Sequence, residues 1–146
     1  MEETVLFHEE DAVLPAYFDP ALTQTWLEKL ASDHGSTIAQ LNYIFCSDEY
    51  LLNINQEYLQ HDDYTDIITF PYQQGATVES DIFISLERVK ENAAQFSEGD
   101  EKQELLRVIA HGLLHLIGFG DKKEEDVQKM RDAENKAIES YRQLQP

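Results

Sequence analysis

The sequence predicts an α/β (α+β) layer structure built as one domain over residues 1–146. Three observations lead there. Stretches rich in β-branched and aromatic residues are interspersed with stretches of helical periodicity, and that mixed order calls for helices packed on a sheet. No Pro-, Gly- or Ser-rich linker divides the chain, and no segment repeats. A chain of 146 residues suits a single core, because one of that size buries about two-thirds of its unfolded surface.

Taken in order, "ETVLFHEE" reads as a short first strand. Asp19 then supplies a helix cap and Pro20 a preset first helical residue ahead of "ALTQTWLEKLASDHG", which Gly35 ends. "STIAQLNYIFCS" is rich in β-branched and aromatic residues and reads as a strand. Ser47 caps a helix through "DEYLLNINQEYLQ", with Leu51, Ile54 and Tyr58 expected on one apolar face. "TDIITFPY" and "SDIFISL" flank a Gly-containing polar turn and predict a hairpin, with Pro71 at the end of its strand. "LERVKENAAQF" is helical. "DEKQELLRVIAHGLLHLIG" is a stronger helix, with Leu105, Ile109, Leu113 and Leu116 facing the core. A last helix, "EEDVQKMRDAENKAIESYRQL", turns Val127, Met130, Ile138 and Tyr141 inward and presents an acidic, solvated face.

The chain carries 11 basic and 29 acidic residues, a net charge of -18, which lowers the expectation of nucleic-acid binding without excluding a local basic groove. Arg88, Lys90, Lys102 and Arg107 form the one candidate patch. No apolar run approaches the roughly 20 residues that span a bilayer. The start, "MEETVLFHEEDAVLP", lacks the basic and apolar regions of a secretory signal, so a cytoplasmic protein with no membrane contact is expected. The single Cys46 sits in the apolar run "LNYIFC" and is expected to pack as a small hydrophobe.

The chemistry concentrates in "HGLLHLIGFGD". On a helix, His111 and His115 stand one above the other, so two imidazoles can converge on one ion. Gly118 suits the helix end, and Gly120 lets the chain fold back so that Asp121 can supply a third ligand. Two imidazoles and one carboxylate are a normal zinc set that leaves one position open. An i,i+4 histidine pair alone is often incidental; the Gly and Asp at these offsets make the metal reading the better one. Zinc proteases place a general-base Glu after the first His, whereas here Gly112 stands there. That absence disfavours peptide hydrolysis and leaves phosphodiester cleavage as the better fit, since an ion stabilises charge on phosphoryl oxygens.

These residues resemble the signature H-G-x-L-H-L-x-G-(Y/F)-D-H of the YbeY family of metal-dependent endoribonucleases. "NQEYLQHDDYTDIITF", from Asn55 to Phe70, resembles a second family stretch, and "SDIFIS" the family's G-D-I-x-I strand. The resemblance implies a small mixed sheet packed against helices, one zinc ion per chain held by His111, His115 and Asp121, and action on the 3' end of small-subunit rRNA. It also implies ribosomal RNA, the small subunit and ribosomal or assembly proteins as partners. The chain departs from the family at Asp121, where the family usually has His; at Gly120, where it has Asp; and at Leu59, where an Arg thought to contact RNA is common.

Arg107, one turn before His111, is a candidate phosphate contact in place of Leu59, with pairing to an acid such as Glu104 as the alternative. His61, Thr65 and Asp66 lie in the loop "HDDYTD" and are candidates to line the substrate cleft; local turn chemistry is the alternative, favoured for Asp62 and Asp63. His8 and His34 are expected to be ordinary surface or turn residues. Two competing readings remain: a non-catalytic ribosome-assembly factor with a structural metal, and a metal hydrolase of small phosphoesters.

Overall fold

In the computed structural model, which describes residues 4–60, 65–96, 98–120 and 122–146, nine elements follow one another. They are β1 (Val5–Glu9), α1 (Pro20–Asp33), β2 (Thr37–Cys46), α2 (Asp48–Leu59), β3 (Ile67–Gln73), β4 (Thr77–Ser85), α3 (Leu86–Phe96), α4 (Glu101–Ile117) and α5 (Glu124–Leu144). The order of strands in the sheet is β1-β2-β4-β3. β1 and β4 run parallel to β2, with Tyr43 opposite Ile82, and β3 runs antiparallel to β4, with Phe70 opposite Asp81. The α/β expectation and its mixed sheet are therefore correct, and the hairpin forms where its turn signal stands.

Local chemistry explains the helix starts. The Asp19 carboxylate accepts from the Leu22 N–H at 3.0 Å, the Ser47 hydroxyl from the Tyr50 N–H at 3.1 Å and the Asp100 carboxylate from the Gln103 N–H at 3.0 Å. Gly118 closes α4 at φ 134, a conformation open to glycine, and its N–H bonds the carbonyls of Leu114 and His115.

Alternation along the strands sends the two faces of the sheet to different partners. Ile82 and Ile84 of β4 join a core with Trp26 and Leu30 of α1, Leu105, Ile109 and Leu113 of α4, and Ile138 and Tyr141 of α5. Phe83, between them, points to the other face, where Leu51 and Ile54 of α2 pack on Cys46 and Ile68. Two buried hydrogen bonds fix the layers: the Trp26 indole donates to the Ala137 carbonyl at 2.7 Å, and the Tyr43 hydroxyl to the Ile109 carbonyl at 3.0 Å. The second anchors α4 to the sheet two residues before His111.

Three placements differ from the expectation. Tyr58 is 63% exposed, its ring meeting Phe70 edge-on at 5.9 Å. Val127, in the first turn of α5, is 50% exposed and lines a surface cavity rather than the core. Pro71 lies inside β3, not at its end. The strand tolerates it because β3 is the sheet's edge and its register shifts between Pro71 and Gln73, so a missing N–H need not break a ladder. Cys46 is fully buried, as expected of a packing residue, and burial pushes its thiol up to about 12.

Candidate active site on helix α4

Gly112 answers why no side chain follows the first histidine. A Cβ built there stands 3.0 Å from the Ile67 side chain and 3.4 Å from that of Ile82, so α4 lies directly on the sheet at this point. A glutamate at 112 would enter the apolar contact with the sheet, about 100° around the helix from His111. The catalytic base of a zinc protease has no room here.

His111 and His115 lie on a more open side of α4, both partly exposed. The Nδ1 atom of His111 is 2.7 Å from Oε2 of Glu134, which α5 carries in from the neighbouring layer. The other oxygen of Glu134, Oε1, accepts from Nη1 of Arg107 at 3.1 Å. Both partners in that ion pair are buried, so the charge of one offsets the desolvation of the other. Arg107 is thus enclosed behind His111 and paired with an acid, Glu134. Nδ1 of His115 is buried and has no hydrogen-bond partner among the described residues.

Asp66, just before β3, is brought near the same cluster. Burial raises its pKa, while the nearby His111 and a hydrogen bond from Asn92 pull the other way. Its backbone carbonyl accepts from the Ser85 N–H at 3.0 Å, tying the loop end to the last residue of β4. Thr65 bonds the Ile67 carbonyl through its hydroxyl at 3.4 Å, the local turn chemistry that was the alternative to substrate contact. His61, Asp62, Asp63 and Asp121 lie outside the described residues.

A cavity of about 450 Å³ opens beside His111, between it and the first turns of α5, lined by Val127, Gln128, Met130, Arg131 and Glu134. The half-exposed Arg131 stands 3.8 Å from Glu134, too far for a tight pair, and is the cation that faces this cavity. The expected basic patch is mostly committed elsewhere: Arg88 pairs with Asp48 and Glu91, and Lys102 lies 5.6 Å above the Tyr141 ring. A second cavity, about 650 Å³, is lined by α2, β3 and β4 residues including Tyr50, Phe70, Tyr72 and Phe83, and contains neither histidine.

Among the described residues no three His, Cys, Asp or Glu side chains are arranged to hold a metal ion. Of the three expected donors, His111 and His115 are described, one turn apart on α4. The donor chemistry fits an ion at His111, an imidazole whose Nδ1 is engaged by a carboxylate.

Sequence reasoning missed Glu134 and Arg131, having assigned their helix an acidic solvated face. A signal for Glu134 existed. It falls four residues after Met130 and four before Ile138, on the stripe that was read as core, and an acid on such a stripe needs a buried partner.

The model of the family described as Endoribonuclease YbeY matches residues 9–142. The chain is 47% identical over 138 residues to Endoribonuclease YbeY of Cytophaga hutchinsonii, covering 94% of this chain and 95% of that one. It is 48% identical over 116 residues to the protein of the same name from Bacteroides thetaiotaomicron, covering 80% and 84%. The solution structure of TM1509 from Thermotoga maritima superposes with a TM-score of 0.65 at 24% identity, covering 94% of this chain and 88% of that one, which shows a shared fold.

Proposed function

Because the chain belongs to the Endoribonuclease YbeY family, we propose that it is a zinc-dependent, single-strand endoribonuclease that matures the 3' end of small-subunit rRNA in the cytoplasm. The observation that carries this reading is the histidine pair one turn apart on α4, both partly exposed, with His111 held at Nδ1 by Glu134. His111, His115 and Asp121 would hold one zinc ion per chain. When bound, the ion supplies positive charge for the phosphoryl oxygens and makes a water more acidic at neutral pH.

The rest falls to the chain's own side chains. Arg131 is placed to take a phosphate of the RNA backbone beside His111, a role that the enclosed Arg107 serves only indirectly by holding Glu134. Asp66 and Thr65 would border the reacting strand, as would His61, which lies outside the described residues. Gly112 lets α4 lie close against Ile67 and Ile82 of the sheet. Binding should weaken steeply with salt, since phosphate contacts release counterions.

The experiment compares the wild type with His115→Ala on ribosomal RNA carrying an immature 3' end, with bound metal measured for both. Cutting by the wild type alone, with metal lost from the variant, supports the reading. Equal cutting by both would overturn it. A second reading, a non-catalytic assembly factor on the small subunit, draws on the net charge of -18 and on the paired state of Arg88 and Arg107. Tight ribosome binding without cutting by either protein would favour it.

A further inference from the structure

We propose that the cleft between α4 and α5 is a subsite for one unpaired nucleotide of the RNA strand, with its base on Val127 and Met130 and its phosphate on Arg131; this deepens the nuclease reading above and rests on it. The cleft follows from one face of α5. Val127, Met130, Arg131 and Glu134 recur at the spacings of three and four that put side chains on a common side, and that side meets His111 across a cavity of about 450 Å³. Sites that enclose a small molecule run from roughly 300 to 1,000 Å³, so this one suits a single nucleotide.

The lining divides by chemistry. Val127 is half-exposed although apolar, and Met130 is buried, so a flat ring meets an aliphatic wall and a polarisable thioether. Gln128 lines the same cavity, and its Nε2 donates one of its two hydrogens to Asp132 at 3.0 Å. The second hydrogen and the amide oxygen are the donor and acceptor that an adenine edge complements. Arg131 supplies a cation, loosely held at 3.8 Å from Glu134. Glu134, the one acid lining the cavity among the described residues, has Oε1 on Arg107 and Oε2 on His111. An anion that carries a ring with a hydrogen-bonding edge matches this set, whereas a basic side chain would face Arg131. A base in a duplex is stacked and paired, so only an unpaired one can enter, which ties the cleft to single strands.

The test titrates AMP, ribose 5-phosphate and inorganic phosphate into the full chain stripped of metal, so that only side chains hold the phosphate, and follows the methionine methyl signals by ¹³C NMR. The chain has two methionines, Met1 and Met130, so one of two signals reports on the cleft. AMP should shift the Met130 signal and bind about 10-fold tighter than ribose 5-phosphate, the difference being the burial of the base. Val127→Ser, at an exposed position in the first turn of α5, should bring AMP down to the affinity of ribose 5-phosphate. Arg131→Gln should weaken AMP and ribose 5-phosphate alike. An unshifted Met130 signal, AMP no tighter than ribose 5-phosphate, or unchanged AMP affinity in Val127→Ser would overturn the proposal; equal binding of all three probes would mean an adventitious ion only and would overturn it too. AMP bound at Met130 by a chain that cuts no rRNA once zinc is restored would refute the nuclease reading and leave the subsite, whereas cutting without AMP binding would refute the subsite and leave the nuclease.

Discussion

Residue by residue, the site was legible where one residue's chemistry needs no distant partner. His111 and His115 were visible because the spacing of four is a property of one helix. Glu134 was not, because its meaning comes from Arg107 and His111, twenty-seven and twenty-three residues away. The same distance hid the fate of Arg107, whose nearer candidate partner was Glu104. Gly112 shows a different limit: its sequence context signalled a missing base, while the structure adds that the position faces Ile67 and Ile82. Gly112→Glu should therefore give no peptidase activity and should destabilise the fold by about 3 kcal/mol or more, since the new carboxylate would be buried without a partner. Urea unfolding checks this, and a variant of wild-type stability would contradict the packing. Cys46 gives a second expectation at this scale. Between its ordinary 9.0 and about 12 the unfolded chain releases the thiol proton while the folded chain keeps it, so stability falls as pH rises through that range. At pH 8 the native thiol should react with a thiol reagent at most slowly and at once in denaturant; rapid reaction of the native protein would show that Cys46 is accessible.

At the scale of elements, caps and turns were readable because they are local. Asp19, Ser47 and Gly35 each stand within three residues of the group or bend they govern. Ser47 does more than cap. Besides accepting from Tyr50, its hydroxyl donates to Asp11 at 2.6 Å, tying the start of α2 to the segment after β1. Ser47→Ala should cost about 1 to 2 kcal/mol, seen as a lower urea midpoint with an unchanged slope. Loss of no more than a few tenths would mean that water replaces both bonds. Periodicity was less dependable at element ends, where Tyr58 and Val127 continue the apolar pattern beyond the surface that their helices bury. The order β1-β2-β4-β3 was also out of reach, since the parallel pairing of β2 with β4 joins strands that α2 and β3 separate in sequence.

For the whole molecule, the charge of -18 and the proposed RNA substrate pull in opposite directions. The structure eases the conflict at one place. Arg131 faces the cavity beside His111 and is held only loosely, whereas Arg88 and Arg107 are committed to acids. Arg131→Gln should weaken binding of single-stranded RNA and reduce the slope of log affinity against log salt by about one, with metal content unchanged. An unaltered slope would move the phosphate contact elsewhere. No described helix is long and apolar enough to cross a membrane. The central claim is that the α4 histidines hold an ion that RNA cleavage requires, and the most direct measurement is zinc titration into the metal-stripped full chain, following cleavage of an rRNA precursor with an immature 3' end. The expected result is no cutting without metal and a rise in activity that saturates at one zinc per chain, absent in His111→Ala. Undiminished cutting by the stripped chain, or by His111→Ala, would contradict it.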